Sequence, residues 1–222
     1  MPVIQSPASL INALVADRRP RGRPRKTVDE RDDGNRRHAL LQSAALLFRQ
    51  NGYDATTTRQ IATAAGMQSG SPFYHFKSKD ALLYAVMEEG MRSAQARQLQ
   101  QVQQPDYQNL PSQEQLRGLV QVHFEVLLGP GNDFVPVMLY EWRSLNTRQR
   151  KLLAQLRADS ESLWMPVLER LYAQGQLQTP VGLARLLIFG ALNWSVQWFD
   201  PKKSASIRDL TDAALSMFIK EM

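Results

Sequence analysis

The segment from Thr56 to Leu83 constrains the fold most, because its residues are arranged for two short helices in a tight turn and a longer helix directly after them. Thr57 and Gln60 have the spacing of a capping box, which predicts a first helix from about Thr58 to Ala65. Gly66 can end that helix, since glycine adopts a positive φ at little cost. The segment therefore predicts three consecutive helices.

The second helix of this segment is predicted to be short, with small polar residues on its outer side. Ser69 can act as its N-cap, and Pro72 fits its first turn, where the amides lack intrahelical acceptors. Ser78 can then cap the third helix. A short helix of small residues held by a tight turn can approach the major groove of DNA closely. The residues predicted to contact DNA in this segment are Thr57, Thr58, Gln68, Ser69, Gly70, Ser71, Phe73, Tyr74, His75 and Lys79.

The aromatic run at the end of the second helix allows two interpretations. In the first, Tyr74 and His75 contact backbone phosphates from the end of a recognition helix. In the second, they pack under the turn together with Phe76 as ordinary core aromatics. Phe76 is predicted to be a core residue in both cases. Lys79, at the start of the next helix, is well placed for a phosphate beside the amides of that helix N-terminus.

The block from about Arg36 to Gly90 resembles the DNA-binding motif of the TetR family of bacterial transcriptional regulators. The matching residues are Gly66, Gly70, Phe73, Tyr74, His75, Phe76, Lys79, Ala81, Leu82 and Leu83. The chain departs from the family pattern with Gln68 and Ser69 where a Ser-Lys pair is common, and with Pro72 where leucine is usual. These departures affect which operator sequence the chain would recognise, and not the fold. The resemblance implies a ligand-responsive regulator, most often a repressor, with a helical effector-binding and dimerisation domain after the DNA-reading motif.

Positive charge is concentrated in an N-terminal arm. The net charge is +6, and residues 1–37 hold nine Lys/Arg against five Asp/Glu, a net of +4, which leaves +2 for the rest. The run from Arg18 to Lys26 lacks apolar residues and is interrupted by proline and glycine, so it is not expected to fold alone. Its Arg21, Arg23 and Arg25 lie in a sequence that resembles the AT-hook, which binds the minor groove of A·T-rich DNA. The alternative is a solvated tail.

Several classes of protein are disfavoured by what the sequence lacks. The chain has no cysteine, which excludes a disulfide scaffold, a thiolate metal site and a cysteine nucleophile, and which suits a reducing cytoplasm. The three histidines lie far apart, and neither a nucleophile elbow nor a glycine-rich phosphate loop occurs. The longest apolar run, Val181 to Phe199, contains Arg185 and is not expected to cross a membrane. We expect a cytoplasmic protein that is not an enzyme and binds no metal.

The remainder of the chain also predicts helices, about nine in total, and no strand. One further helix is predicted to start at Gly34, one to run from Ser78 to Gln104, and one to start at Asp133. Another starts at Asn146, is kinked at Pro166 and ends at Gln174. The remaining three start at predicted N-caps: Ser112, paired with Gln115; Thr179, which precedes Pro180; and Ser206, paired with Asp209. The polar stretch Ser93 to Gln104 is expected to face solvent or act as a spacer. The chain is therefore predicted to have three parts: a basic arm over residues 1–33, a three-helix head over 34–90, and a larger helical domain over 91–222.

The larger domain is expected to bind an effector in a pocket between helices, apolar except for a few polar groups that orient the ligand. The candidate pocket residues are His123, Met138, Trp142, Arg143, Trp164 and Asn193. Arg143 is included because a guanidinium can hold a carboxylate or phosphate bidentately. Each candidate also has a simpler interpretation, as a core residue, as a satisfied polar group or, for Arg143, as an ion-pair partner of Glu141 or Glu161.

The TetR resemblance implies that residues 180–198 and 206–220 pair with the same helices of a second subunit. Apolar residues spaced three and four apart form a broad face on the first of them: Leu183, Leu187, Gly190, Ala191, Trp194 and Trp198. That face is either a dimer surface or part of the core of a monomer. A dimer is favoured because one two-turn recognition helix reads too few base pairs, so two must act on a palindrome with half-sites about 34 Å apart.

The expected partners are operator DNA, a second copy of the chain and a small-molecule effector, with no resident cofactor. The segment from Gly190 to Pro201 resembles the end of the ligand domain in one TetR subset, some members of which respond to acyl-CoA thioesters. The alternative function is an architectural DNA-binding protein whose Arg-rich arm supplies most of the affinity without sequence preference.

Overall fold

In the computed structural model, which describes residues 28–68, 72–203 and 205–220, all regular elements of the described part are helices. Ten α-helices follow one another in this part: α1 Val28–Asn51, α2 Thr58–Ala64, α3 Pro72–His75, α4 Lys79–Val102, α5 Ser112–Leu128, α6 Phe134–Glu141, α7 Thr147–Ser162, α8 Met165–Ala173, α9 Val181–Trp194 and α10 Ile207–Phe218. The predicted all-helical class is confirmed. The chain divides after Asn35, and the described residues from Arg36 onward form one compact unit.

Local capping signals fix the starts of four helices where the sequence predicts them. At α2, the Gln60 amide donates to Oγ1 of Thr57 at 3.2 Å, and the Thr57 amide donates to Oε1 of Gln60 at 2.8 Å. The same reciprocal arrangement opens α7 and α10, and Oγ of Ser78 accepts from the Ala81 amide at the start of α4. Each cap satisfies amides that the first turn leaves without partners.

Two predicted caps are wrong, and proline explains both. Ser112 is the first residue of α5 and makes no cap, while Pro111 occupies the N-cap position. Pro180 likewise takes the N-cap position of α9 in place of Thr179. Both prolines combine their restricted φ with an extended ψ, the backbone shape of an N-cap residue, so the helix starts one residue after the proline. The predicted partner of Ser112, Gln115, donates instead to the Leu110 carbonyl at 3.0 Å.

Two predicted helix limits also differ from the structure. Helix α1 begins at Val28 rather than at Gly34, because a single glycine inside a helix costs only about 1 kcal/mol. The predicted helix with a kink at Pro166 is two helices, since α7 ends at Ser162 and α8 begins at Met165. The proline ring would clash with the carbonyl four residues earlier, that of Ser162, so the break falls there.

Two large hydrophobic clusters hold the described helices together. The first joins α1, α2 and the start of α4 to α6 and α7, with Phe48, Ile61 and Leu83 fully buried. The second joins α5, α8, α9 and α10 around Trp164, which has no exposed surface. We call α1 from Arg36 onward, α2, α3 and α4 as far as Gly90 the head.

Helix α4 passes from the head into the second part of the molecule, residues 91–222, and most of its polar half is exposed, as predicted, although one side of the helix is buried. Met91, Ala94 and Gln98 are buried on one side of it. Their spacing of three and four residues places them on one helical stripe, which the many surrounding glutamines obscure in the sequence. This stripe faces the interior of the second part.

Helix α6 crosses α4 at Gly90, where the two backbones are unusually close. A Cβ atom at Gly90 would lie 3.0 Å from the carbonyl carbon of Phe134 and 3.1 Å from the amide nitrogen of Val135. Backbone cannot move aside as a flexible side chain does, so the crossing needs glycine.

Replacing Gly90 with alanine should therefore lower the free energy of unfolding by about 1–3 kcal/mol, the usual cost of forcing an extra methyl group into a packed contact. Gly34→Ala is the matched control, because no described atom lies within 4 Å of the added Cβ and alanine favours the helix. Urea unfolding followed by circular dichroism measures both. Equal stability of Gly90→Ala and the wild type would show that α6 can shift without cost.

Candidate nucleic-acid interface and interior cavity

The turn between α1 and α2 is fastened to the start of α4 by Lys79. Its ammonium group donates to the carbonyls of Tyr53 at 2.8 Å and Thr56 at 2.9 Å, and it lies 4.1 Å from the Tyr53 ring centroid. The Tyr53 hydroxyl donates to Asp80, and burial together with this carboxylate raises the pKa of Tyr53 well above its ordinary value. Lys79 thus has a structural role, and a phosphate contact would use its one remaining N–H. That contact stays a prediction.

The aromatic run of α3 separates into a buried and an exposed part. Phe76 is buried in the first cluster, as predicted, with the Arg37 guanidinium 5.1 Å from its ring centroid. Tyr74 is 83 % exposed, and its ring meets the His75 ring edge-on at 5.2 Å. The interpretation of all three residues as core aromatics is therefore wrong for Tyr74, whose hydroxyl is available to a partner.

The other predicted DNA contacts fall partly within the described chain. Thr57 and Gln68 are exposed beside α2, and Thr58 is half-buried. The following predicted contacts lie outside the described residues: Ser69, Gly70, Ser71, the side chain of Phe73, and Arg21, Arg23 and Arg25 of the arm. Sequence reasoning did not single out Arg59 and Lys77, two exposed cations on the same part of the head. The described part of this segment therefore exposes polar and cationic side chains, as a surface that binds phosphates requires.

An interior cavity of about 50 Å³ lies between α4, α5, α6, α7 and α9. Its lining comprises Met91, Ala94, Gln98, His123, Val126, Leu127, Val135, Met138, Arg157, Ser160, Glu161, Phe189 and Asn193. Three predicted effector contacts, His123, Met138 and Asn193, are thus brought together. Trp142 and Arg143 do not line it, and Trp164 packs behind His123 with ring centroids 5.9 Å apart. The volume leaves room for one or two water molecules.

Gln98 is a cavity residue that sequence reasoning missed. Its side-chain carbonyl accepts from the Ser160 hydroxyl at 3.0 Å and from the Trp164 indole N–H at 3.2 Å. These bonds cross more than sixty residues of sequence, so no local pattern reveals them. The only available signal is the helical stripe that Gln98 shares with Met91 and Ala94.

His123 is held in its neutral form. Its Nε2 lies 2.9 Å from Oδ1 of Asn193, and its ring packs edge-on against Trp164 and Phe189. Because Oδ1 only accepts, Nε2 carries the proton. Burial among these rings lowers the pKa of His123 from about 6.5 to about 4, and the bond to Asn193 opposes this only in part.

Charged groups are confined to the α7 side of the cavity. Glu161 pairs with Arg185 of α9, and its other oxygen lies 3.7 Å from Nε of Arg157. The Arg157 guanidinium also lies 5.6 Å from the Trp142 ring centroid. The carboxylate is therefore shared between two arginines, and neither arginine is an unpaired cation aimed at a ligand.

Helix α6 connects the cavity with the head. Val135 and Met138 line the cavity, whereas the two ends of the helix hold the end of α1 and the turn after it. Asp133, just before the helix, accepts from the Arg49 guanidinium at 2.8 Å, and Glu141, its last residue, accepts from the Tyr53 amide at 2.9 Å. A displacement of α6 away from the cavity would act directly on these two contacts.

One side of α9 is uncovered in the protomer. The inner side carries Ala184, Ile188 and Leu192, which are buried in the second cluster. The predicted apolar face is exposed, with its large members Leu183, Leu187, Trp194 and Trp198 each more than half accessible. The alternative that this face is the core of a monomer is therefore wrong.

Comparison with known families agrees with this arrangement. The family described as bacterial regulatory proteins, tetR family, matches residues 40–86, and the tetracyclin repressor-like C-terminal domain matches residues 109–222. The chain belongs to the TetR family. It is a helix-turn-helix transcriptional regulator, as the resemblance implied, and the TetR fold places the DNA-binding motif in the head and the ligand-binding domain after it.

Individual relatives cover most of the chain. The HTH-type transcriptional repressor KstR2 of Rhodococcus jostii is 28 % identical over 201 residues, which are 88 % of this chain and 95 % of that protein. The structure of the superantigen PfiT is similar with a TM-score of 0.69 and 35 % identity, over 84 % of this chain and 97 % of PfiT. The structure of AibR in complex with isovaleryl coenzyme A and operator DNA has a TM-score of 0.73 at 22 % identity, over 82 % of this chain and 97 % of AibR. This similarity is one of fold.

Among the described helices, none combines the length and apolar character that crossing a membrane requires. In the same part of the chain, His, Cys, Asp and Glu side chains do not gather in groups of three or more around a possible metal position.

The neutral His123 predicts a loss of stability in acid. Between pH 6.5 and about 4 the unfolded chain binds a proton at this residue and the native state does not, so stability is complete above pH 6.5 and falls by about 3 kcal/mol towards pH 4. His123→Phe should flatten the dependence of the unfolding free energy on pH, measured by urea titrations from pH 7 to 4.5. His38→Phe, the same replacement at an exposed position of α1, is the matched control. An unchanged slope in His123→Phe would mean that this histidine is already charged in the native state.

Proposed function

We propose that this TetR-family regulator acts in the cytoplasm as a dimeric repressor, which binds a palindromic operator and is released by a small-molecule effector in the interior cavity. The observation that carries the proposal is the double role of α6, which lines the cavity through Val135 and Met138 and holds the head through Asp133 and Glu141. A ligand in the cavity and DNA at the head then favour different positions of one helix. No catalytic role is proposed.

The small cavity supports a population shift. At about 50 Å³ it is too small for most metabolites, so an effector binds well only to a state in which Met138 and its helix have moved outward. The ligand changes the populations by its difference in affinity for the two states, and DNA affinity changes by the same factor. Displacement of α6 by the ligand then releases the operator.

The chemistry of the cavity favours an effector with an apolar part. Seven of its lining side chains are apolar: Met91, Ala94, Val126, Leu127, Val135, Met138 and Phe189. AibR, of similar fold, is known in complex with isovaleryl coenzyme A. An acyl-CoA thioester, with its acyl group inside and its charged part outside, is thus one candidate class of effector.

Dimerisation is proposed through α9 and α10. Leu187 is 54 % exposed and Trp194 is 64 % exposed, and Gly190 and Ala191 between them leave room for a second helix to approach. Uncovered apolar side chains that adjoin one another on one face indicate a protein interface. A dimer also supplies the second recognition helix that a palindromic operator requires.

Leu187→Glu should convert the dimer to a monomer, because it places a charge in the centre of the proposed interface without disturbing the protomer core. Leu152→Glu is the matched control, since Leu152 is 48 % exposed on α7, outside this face. Sedimentation velocity at micromolar concentration gives the mass of each, and circular dichroism checks the fold. A folded Leu187→Glu variant that remains dimeric would exclude this face as the interface.

Selection of bound sites from a random duplex pool distinguishes the repressor from an architectural DNA-binding protein. A regulator that reads an operator should enrich a palindrome bound by dimers, with and without residues 1–26, which precede α1. An architectural protein would enrich no motif, or would lose enrichment with the arm, because its affinity comes from counterion release.

The same selection tests two residues of the head. Tyr74→Ala should weaken binding to all sequences by a similar factor, because an exposed phenol at the end of α3 is placed for phosphates. Gln68→Ala should change the preferred sequence, because an amide can read base edges. If Gln68→Ala and the wild type select the same motif, the assignment of Gln68 to a base contact is wrong.

A further inference from the structure

The interior cavity contains a hydrogen-bond donor that the protein leaves unused. Gln98 is only 2 % exposed, and its side-chain carbonyl already accepts from Ser160 and Trp164. The indole N–H of Trp164 only donates, which fixes the carbonyl end of the amide on that side and turns the NH₂ group away from it. Among the described residues, none accepts a hydrogen bond from this NH₂ group.

That NH₂ group lies at the cavity surface. In the described part of the chain, no side-chain nitrogen or oxygen is both fully buried and without a partner. Since Gln98 lines the cavity and has almost no other accessible surface, its unused nitrogen must face the cavity. A donor in an apolar interior is unfavourable without an acceptor, so a ligand atom that accepts from it is favoured.

The cavity also contains an unused acceptor. Nε2–H of His123 donates to Asn193, so Nδ1 keeps its lone pair. No described residue donates to Nδ1, and His123 lines the same cavity as Gln98. Gln98 and His123 line one small cavity, so a single polar group of a ligand is the natural partner for both.

We propose that the buried end of the effector is an alcohol, whose oxygen accepts from the Gln98 amide and whose O–H donates to Nδ1 of His123. This proposal rests on the effector role of the cavity proposed above. It adds a chemical class, a neutral alcohol on an apolar skeleton, and names Gln98 and His123 as the residues that determine specificity.

Other polar groups fit this pair less well. A ketone or thioester carbonyl accepts from Gln98 but leaves Nδ1 of His123 without a donor. A carboxylate would face the lone pair of Nδ1 and lie near Glu161, and both arginines of that wall already share the Glu161 carboxylate. An acyl thioester therefore satisfies the cavity fully only if its acyl group carries a hydroxyl.

Three probes of similar size test the alcohol directly on the full chain: cyclohexanol, cyclohexanone and cyclohexanecarboxylate. Met91 and Met138 line the cavity, so methyl NMR signals of ¹³C-labelled methionine, assigned with Met→Leu variants, report binding there without DNA. Cyclohexanol should bind about tenfold more tightly than cyclohexanone, since one more buried hydrogen bond is made. The carboxylate should bind more weakly than both.

His123→Phe should remove the preference and bring the cyclohexanol and cyclohexanone affinities to within about twofold, because a phenyl ring offers no acceptor lone pair. His38→Phe, the same replacement at an exposed position of α1, should keep the wild-type preference. If His123→Phe does not fold, the comparison of the three probes on the wild type still decides the question.

The outcomes separate this proposal from the repressor proposal. Equal affinities for alcohol and ketone, or tighter binding of the carboxylate, would overturn the alcohol and leave the cavity as the effector site. A preference that survives in His123→Phe would overturn the role of His123. Absence of any shift at Met91 and Met138 would overturn the alcohol site, whereas operator selection and dimer mass, which do not involve the cavity, would still test the repressor.

Discussion

The close crossing of α6 over α4 at Gly90 is the contact on which the rest of the arrangement depends. Because no side chain separates the two backbones, α6 lies deep enough for Val137 to enter the first cluster while Val135 and Met138 border the cavity. A helix of two turns is thus shared by the first cluster and the region around the cavity. Packed interiors change between discrete arrangements and do not deform smoothly, so a ligand that moves this helix affects both regions.

The cavity combines a complete polar network with an incomplete one. The carbonyl of Gln98, the indole of Trp164 and the hydroxyl of Ser160 satisfy one another, which fixes the amide in one orientation. The NH₂ group of Gln98 is held in place by these bonds, and Nδ1 of His123 by the bond of that ring to Asn193, but neither group is itself satisfied by a described residue. A rigid arrangement with unused hydrogen-bonding groups is characteristic of a specific binding site, because the protein has already ordered what the ligand meets.

The sequence predicts those features whose causes lie within a few residues of one another. The caps at Thr57, Asn146 and Ser206, the glycine turn at Gly66 and the buried Phe76 all follow from local spacing and are present in the structure. The predicted caps Ser112 and Thr179 failed for a local reason too, because each adjoins a proline that takes the cap position. The N-cap preference of serine and threonine and the backbone restriction of proline predict different helix starts here, and the sequence alone does not decide between them.

Features that depend on distant residues were not predictable in this way. The bond between His123 and Asn193 spans seventy residues, and the contact of Glu141 with the Tyr53 amide spans eighty-eight. Of the six predicted effector residues, those that line the cavity could be told from Trp142, Arg143 and Trp164 only once the helices were packed.

The small size of the cavity also affects the rate at which a ligand binds. A site that must open before it is filled captures its ligand at a rate set by the fraction of time it is open, so the effector should associate more slowly than diffusion allows.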